Sequence, residues 1–413
     1  MNQSVKLIIL QFFSLGLGFF SVFYVAASIP PTLYAIVGVY EVIMSISRVF
    51  SNAGLETLAI RNVLLYQKND ELGKISELIT QSLFLRILFA CLLMIPLFFY
   101  AKFISVEKFN NEYFMLFVTM IFTSVFVAVN DSIILLLKSF NKYLSAAFVT
   151  FSINILGRFI AIFLFIYFGF DVYIYIIIFL PIIVTSVLIF KLREWISFKT
   201  HIKKRLIILN LRQSKNFTFS SYIASVYNML DQLLVSIFFS TEVLGSVTLA
   251  KRILTISRVI VGNIFDPMVQ KLVYVKDNLK ILKNEIIAID KIKNLIIIAM
   301  LFAFPLLVIY ITDLLVLLKL IKYPHLDTFI IFIYVGILFL VQMKVKQHFI
   351  LLFFHSVYNL RLSVIMAFSG SFVFLIAVSI DVRAVFLYLG VTNFIIYVYS
   401  MYIYKKKGLD GVI

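Results

Sequence analysis

Residues Ser220–Asp266 read SSYIASVYNMLDQLLVSIFFSTEVLGSVTLAKRILTISRVIVGNIFD. The pattern predicts two apolar helices joined by a short turn at Ser240–Gly245. Each is long enough to cross a bilayer, which takes roughly 20 residues. Yet Asp231 falls near the middle of the first, and Lys251, Arg252 and Arg258 fall in the second. A charge at the centre of a membrane helix costs about 2.5–3.5 kcal/mol on insertion scales. Charges so placed must face protein or water, and the hairpin therefore predicts a polar cavity in which cations predominate.

The same stretch has an echo upstream. Ile46-Ser47-Arg48-Val49 recurs as Ile256-Ser257-Arg258-Val259, and at that offset Glu41 falls on Lys251. Both copies sit on the second helix of a half-chain. The reading is two similar bundles, in the manner of transporters built from internal repeats.

Composition sets the class. The 413 residues are 62% hydrophobic, a fraction that points to a polytopic membrane protein rather than a soluble domain. The net charge of +17 would suit nucleic acid if it were spread over a surface. Most Lys and Arg instead lie in alternate loops and at the termini, which is a topology signal, and no nucleic-acid partner is expected. The single cysteine, Cys91, excludes an intramolecular disulfide. The first apolar helix shows no small-residue cleavage site and is read as a retained span.

Hydrophobic periodicity places about twelve spans, at 5–28, 33–55, 80–101, 112–135, 144–168, 172–191, 216–239, 243–266, 293–316, 326–345, 357–380 and 383–404. The expected fold is all-α and polytopic, with two pseudo-symmetric six-helix bundles: 1–191, then a basic linker 192–215, then 216–413. Loops 56–79, 192–215 and 267–292 are long and basic. The opposite loops, such as Ser28–Thr32 and Phe168–Asp171, are short and nearly uncharged. By the positive-inside rule both termini face the cytoplasm. The linker orients the chain and attracts anionic membrane lipid; a docking site for a partner enzyme is the alternative.

Polar residues form stripes within the spans. Glu41, Ser45, Arg48 and Asn52 share one face of span two, at steps of four, three and four. Lys251, Thr255, Arg258 and Gly262 repeat those steps on span eight, and Asp266 follows. Ser221, Ser225, Asn228 and Asp231 share a face of span seven; Asn154 and Arg158 share one on span five. Such stripes line a cavity or a helix seam, because lipid does not accept them. Each has an ordinary structural reading beside the functional one. Glu41 pairs with Arg48 along its own helix, Asp231 pairs with a span-eight cation, and Arg86 snorkels to the cytoplasmic surface. Lys251 and Arg158, near mid-span, are hardest to explain that way.

No Gly-rich phosphate loop, no metal-spaced His, Cys or carboxylate set and no nucleophilic triad is legible. A transporter without a cofactor is expected rather than an enzyme, driven by its substrate's gradient or by a coupling ion, with H+ and Na+ both left open.

Two further motifs connect this pattern to a family. Tyr24–Asn62, YVAASIPPTLYAIVGVYEVIMSISRVFSNAGLETLAIRN, resembles the N-terminal signature of polysaccharide exporters, with a tight turn, a Tyr-initiated second helix and a late Gly-Leu followed by Arg. Asp231-Gln232-Leu233-Leu234 and Thr241-Glu242-Val243-Leu244-Gly245 resemble the seventh-helix Asp and the turn after it. The chain is thus similar to Wzx-like O-antigen flippases of the multidrug/oligosaccharidyl-lipid/polysaccharide exporter superfamily. It departs from them at Ile29-Pro30-Pro31-Thr32, where Leu-Gly-Pro is the pattern, and at Ala35, where Gly is.

The resemblance implies an undecaprenyl-diphosphate-linked oligosaccharide substrate, flipped from the cytoplasmic to the periplasmic leaflet by alternating access. It also implies roles in lipopolysaccharide biosynthesis at the inner membrane, with polysaccharide-assembly proteins as candidate partners. The chemistry suits that substrate: a diphosphate takes charge-assisted hydrogen bonds from cations in a partly dry cavity. The candidate cavity residues are Arg48, Arg158, Asn228, Lys251, Arg252 and Arg258, with Asp231 and Glu41 as gating or coupling acids. Two alternatives compete. An O-antigen polymerase would need a long outward loop, and a small-molecule antiporter would lean on acids rather than cations.

Overall fold

The computed structural model describes residues 16–18, 20–52, 72–139, 157–192, 204–275, 279–353 and 356–406, with 145, 149 and 152 as isolated positions. Among these it is all helix. Twelve α-helices follow in order: α1 (Gly16–Ser28), α2 (Pro31–Asn52), α3 (Leu72–Phe109), α4 (Phe114–Ser139), α5 (Gly157–Phe168), α6 (Phe170–Leu192), α7 (Lys204–Phe238), α8 (Thr241–Val275), α9 (Leu279–Leu317), α10 (Leu326–Phe353), α11 (Ser356–Ile380) and α12 (Leu387–Lys406). A short 3-10 turn, Val382–Phe386, leads into α12.

The described part of every expected span is helical; 5–15, and 144–156 apart from three isolated positions, lie outside the described residues. Eight helical segments are long and apolar enough to cross a membrane. α7 and α8 are not among them, because their interiors carry the polar stripes. The chain is a multi-pass membrane protein of the expected class. The first part of the basic linker, 193–203, lies outside the described residues, and α7 is already helical from Lys204.

The chain divides into two compact units: Met1–Ser225 with Ser236–Thr241, and Val226–Val235 with Glu242–Ile413. In the first unit α3 packs on α4, α4 on α6, and α5 on α6. In the second α9 packs on α10, α10 on α12, and α11 on α12. A shift of six helices maps these three pairings onto one another. The Ile-Ser-Arg-Val echo lies on α2 and α8, outside those three pairings.

The core of the first unit is the apolar face of α2, with Tyr34, Ile36 and Ile43 fully buried. Polar side chains find backbone acceptors there. Ser47 donates to the Ser124 carbonyl at 3.3 Å, Thr185 to Phe126 at 3.1 Å and Tyr222 to Phe50 at 3.0 Å. Arg86 differs from its expected snorkelling role. α3 packs against both α2 and α4, and Arg86 is enclosed at 2% exposure.

In the second unit α10 and α12 meet at small residues. A Cβ added to Gly336 would lie 2.8 Å from Leu389 Cβ, and Asn393 donates to the Gly336 carbonyl at 3.0 Å. Small residues let membrane helices approach this closely. The loop between α9 and α10 is basic. It carries Lys319, Lys322 and His325, and Lys319 and His325 take left-handed φ values of 56° and 60°. Lys319 ends α9 in the place where glycine is usual, with Leu320 N–H bonding back to Leu315 O at 2.8 Å. Burial lowers the Lys322 ammonium from its ordinary pKa.

Gly336→Leu should force α10 and α12 apart, at the cost of about 1–3 kcal/mol typical of overpacking. Phe302→Leu, at a side chain that is 78% exposed, should leave the unfolding midpoint in detergent unchanged. Equal midpoints for the two variants would contradict the packing described.

Candidate functional site

The polar stripe of α7 meets that of α8 inside the second unit. Asp231 is fully buried and bears three hydrogen bonds. Its Oδ1 accepts from the Lys251 ammonium of α8 and from the Gln232 N–H at 2.7 Å. Its Oδ2 accepts from the Tyr388 hydroxyl of α12 at 2.8 Å. The Lys251 ammonium also donates to the Asn228 main-chain carbonyl. Two turns further along α8, Arg258 donates to the Asn228 side-chain oxygen at 3.0 Å. Asn228 thus serves two cations of α8, Lys251 through its backbone and Arg258 through its amide.

The steps read from the sequence explain the meeting. Asn228 and Asp231 lie three apart on α7, and Lys251 and Arg258 lie seven apart on α8, so each pair shares a face. Arg252, half-buried, follows Lys251 and projects about 100° further round the helix.

Aromatic rings enclose the carboxylate. Tyr227 packs edge-on against Tyr388 at 5.4 Å between centroids, and Phe374 does so at 5.8 Å. The Tyr227 ring lies over Gly370, where an added Cβ would come within 2.0 Å of its Cε2. Glycine is needed there for close approach and not for a special backbone angle.

In the first unit Arg48 is exposed and its Nε is 3.0 Å from Asp131 Oδ2, on α4. Arg48 is thus found beside Asp131 of α4 rather than in the expected pairing with Glu41, which lies half-buried on α2. Arg158 is in α5, with its side chain outside the described residues, as are Asn154 and the side chain of Asp266. The structure therefore joins Asn228, Asp231, Lys251 and Arg258 in one network and puts Arg48 and Glu41 in the other unit.

Sequence reasoning missed three participants. Asp131 was legible by the same argument as Asp231, as an acid near the end of an apolar span. Tyr227 and Tyr388 were not, because nothing in the spacing of 22 tyrosines singles them out.

Comparison with known proteins places the fold and the family. A family model described as polysaccharide biosynthesis protein matches residues 3–272. The chain belongs to that family. Among solved structures, a lipid II flippase MurJ in an inward closed conformation is similar with a TM-score of 0.74, 15% identity, and coverage of 97% of this chain and 87% of that one. An inward-facing multidrug resistance MATE family transporter of the MOP superfamily is similar with a TM-score of 0.71 and 14% identity, covering 97% and 94%. A MATE in the straight conformation is similar with a TM-score of 0.62 and 15% identity, covering 98% and 96%. Identities this low carry the fold alone, which is that of the MOP superfamily named above. No curated protein sequence matches the chain.

Asp231→Asn removes the buried countercharge of Lys251, and breaking a buried pair from one side typically costs about 3–5 kcal/mol. Tyr388→Phe removes one neutral donor to a charged acceptor, worth about 1.5–3 kcal/mol. Thermal unfolding in detergent should show the larger loss for Asp231→Asn. The reverse order would mean that the ion pair is not what holds the network.

Proposed function

We propose that this chain is a flippase that carries an undecaprenyl-diphosphate-linked oligosaccharide, a unit of O-antigen or a similar surface polysaccharide, from the cytoplasmic to the periplasmic leaflet of the bacterial inner membrane. The observation that carries the reading is the charge state of the α8 stripe. Lys251 is neutralised by Asp231, but Arg258 rests on the neutral amide of Asn228, and no acid is found as its partner among the described residues. An anion offsets such a charge, and a guanidinium offers a phosphate a two-pronged, charge-assisted contact. Arg252 adds a second cation to the same helix. Arg48, whose charge is shared with Asp131, and Arg158 complete the proposed set, with Glu41 and Asp231 as gating or coupling acids. The family, and a fold shared with a lipid II flippase, support the same reading.

On this reading the protein is not an enzyme. Two six-helix halves, 1–191 and 216–413, alternate access around the cavity, and both termini face the cytoplasm. Membrane lipid and polysaccharide-assembly proteins are its partners. Export of a small molecule, as the multidrug transporters of this fold suggest, is the second reading. It predicts that removing a cation leaves the surface polysaccharide intact.

In a strain lacking the gene, Arg258→Ala should fail to restore surface polysaccharide and lipid-linked repeat units should accumulate. Arg258→Lys should restore part, since Lys binds phosphate as a point charge only. Arg383→Ala, exposed and beside Asp381, is the control and should restore it fully. A well-expressed Arg258→Ala that exports normally would sink the anionic-substrate reading. An alkaline-phosphatase fusion that is active at Ile413 would sink the proposed topology.

A further inference from the structure

The Lys251 ammonium sits where oxygens of α7 converge. Asp231 Oδ1 and the Asn228 main-chain carbonyl both accept from it. The other carboxylate oxygen is bonded by the Tyr388 hydroxyl at 2.8 Å, so α12 closes the far side. A buried carboxylate and a main-chain carbonyl are hard oxygen ligands, the type that small inorganic cations take. Here the positive charge comes from the chain itself, on a side chain of α8.

We propose that Lys251 is the resident cation of this site, and that Asp231 binds no Na+ or K+ while the ammonium is in place. The argument has two parts. The first is occupancy. The ammonium already uses Oδ1 and the carbonyl, and the Gln232 N–H takes a further lone pair of Oδ1. The second is charge. The groups facing Asp231 are Lys251 from α8, Gln232 from its own helix and Tyr388 from α12, with Tyr227 edge-on to Tyr388 and Arg258 on the neighbouring Asn228. One buried carboxylate already faces Lys251, with a second cation close by. A third positive charge would meet repulsion from both, in a place where water screens little.

The same geometry predicts a gain of function. Replacing Lys251 with a neutral side chain of similar length leaves Asp231 Oδ1 and the Asn228 carbonyl facing a space without its cation. A carboxylate buried without a countercharge takes up a proton or a cation, and in alkaline buffer the variant should bind a small monovalent cation that the natural protein does not. The inference does not depend on what lipid the protein carries.

The test is thermal unfolding of the full chain in detergent and alkaline buffer, with NaCl, KCl or LiCl titrated against choline chloride at constant ionic strength. A ligand that binds only the native state raises the midpoint in a saturable way. The wild-type protein should respond alike to all four salts. Lys251→Met should gain a saturable rise with one or more of the metal cations over choline, and Lys251→Met with Asp231→Asn should lose it. A saturable, cation-specific rise in the wild type that Asp231→Asn removes would overturn the proposal. So would a folded Lys251→Met that is indifferent to every cation. Lys251→Gln is the second neutral variant. If neither gives folded protein, the wild-type titration decides between the two outcomes alone.

Discussion

A carboxylate with no exposure to solvent, in a helix among apolar neighbours, must be neutralised where it lies. Asp231 is held by one ammonium, one amide and one phenol, and the three donors come from α8, α7 and α12. This requirement fixes much of the second unit. It turns the polar face of α7 toward α8, places Tyr388 at the start of α12, and packs Tyr227 against Tyr388 and over Gly370. Burying charge is expensive, so such a pair is weak evidence for stability in itself. Its value lies in specificity, since only one rotation of α7 and α8 about their axes satisfies the carboxylate.

The two units share a packing scheme but not a chemistry. Three helix pairings in each correspond at a shift of six, yet their ion pairs differ in depth. Arg48 and Asp131 are both partly exposed, with side chains at 50% and 36%, whereas Lys251 and Asp231 stand at 12% and 0%. An exposed pair opens and closes at little cost, because water replaces each partner. A buried pair does not. The second unit therefore holds its charges in a fixed arrangement, and the first leaves Arg48 accessible. That difference is why the proposed site rests on α7 and α8 and not evenly on both halves.

Helical periodicity made the architecture legible: the described part of every expected span is helical, and the polar faces of α7 and α8 meet as their spacing implied. The same reasoning named Asp231, Lys251, Arg258 and Asn228 together, because lipid excludes them and their steps put them on common faces. It did less well where the decision depends on neighbours from distant helices. Glu41 and Arg48 share a face, but Asp131 of α4 is the acid found 3.0 Å from Arg48. Arg86 lies close enough to a span end to snorkel, but α2 and α4 cover its helix. Tyr388 has no periodic signature, since a phenol is accepted at core and surface alike. These are tertiary facts, and one helix read alone does not contain them.

A double-mutant cycle on Asp231→Asn and Lys251→Met tests the central role of the pair most directly, with the unfolding midpoint read for the wild type, both single variants and the double variant in choline chloride. Each single variant leaves one buried group without its counterpart, and the double variant removes both charges. The account predicts strong coupling, with the double variant at least as stable as either single one. Additive losses would contradict it, because they would mean that Asp231 and Lys251 contribute independently and that the second unit is held together by something else.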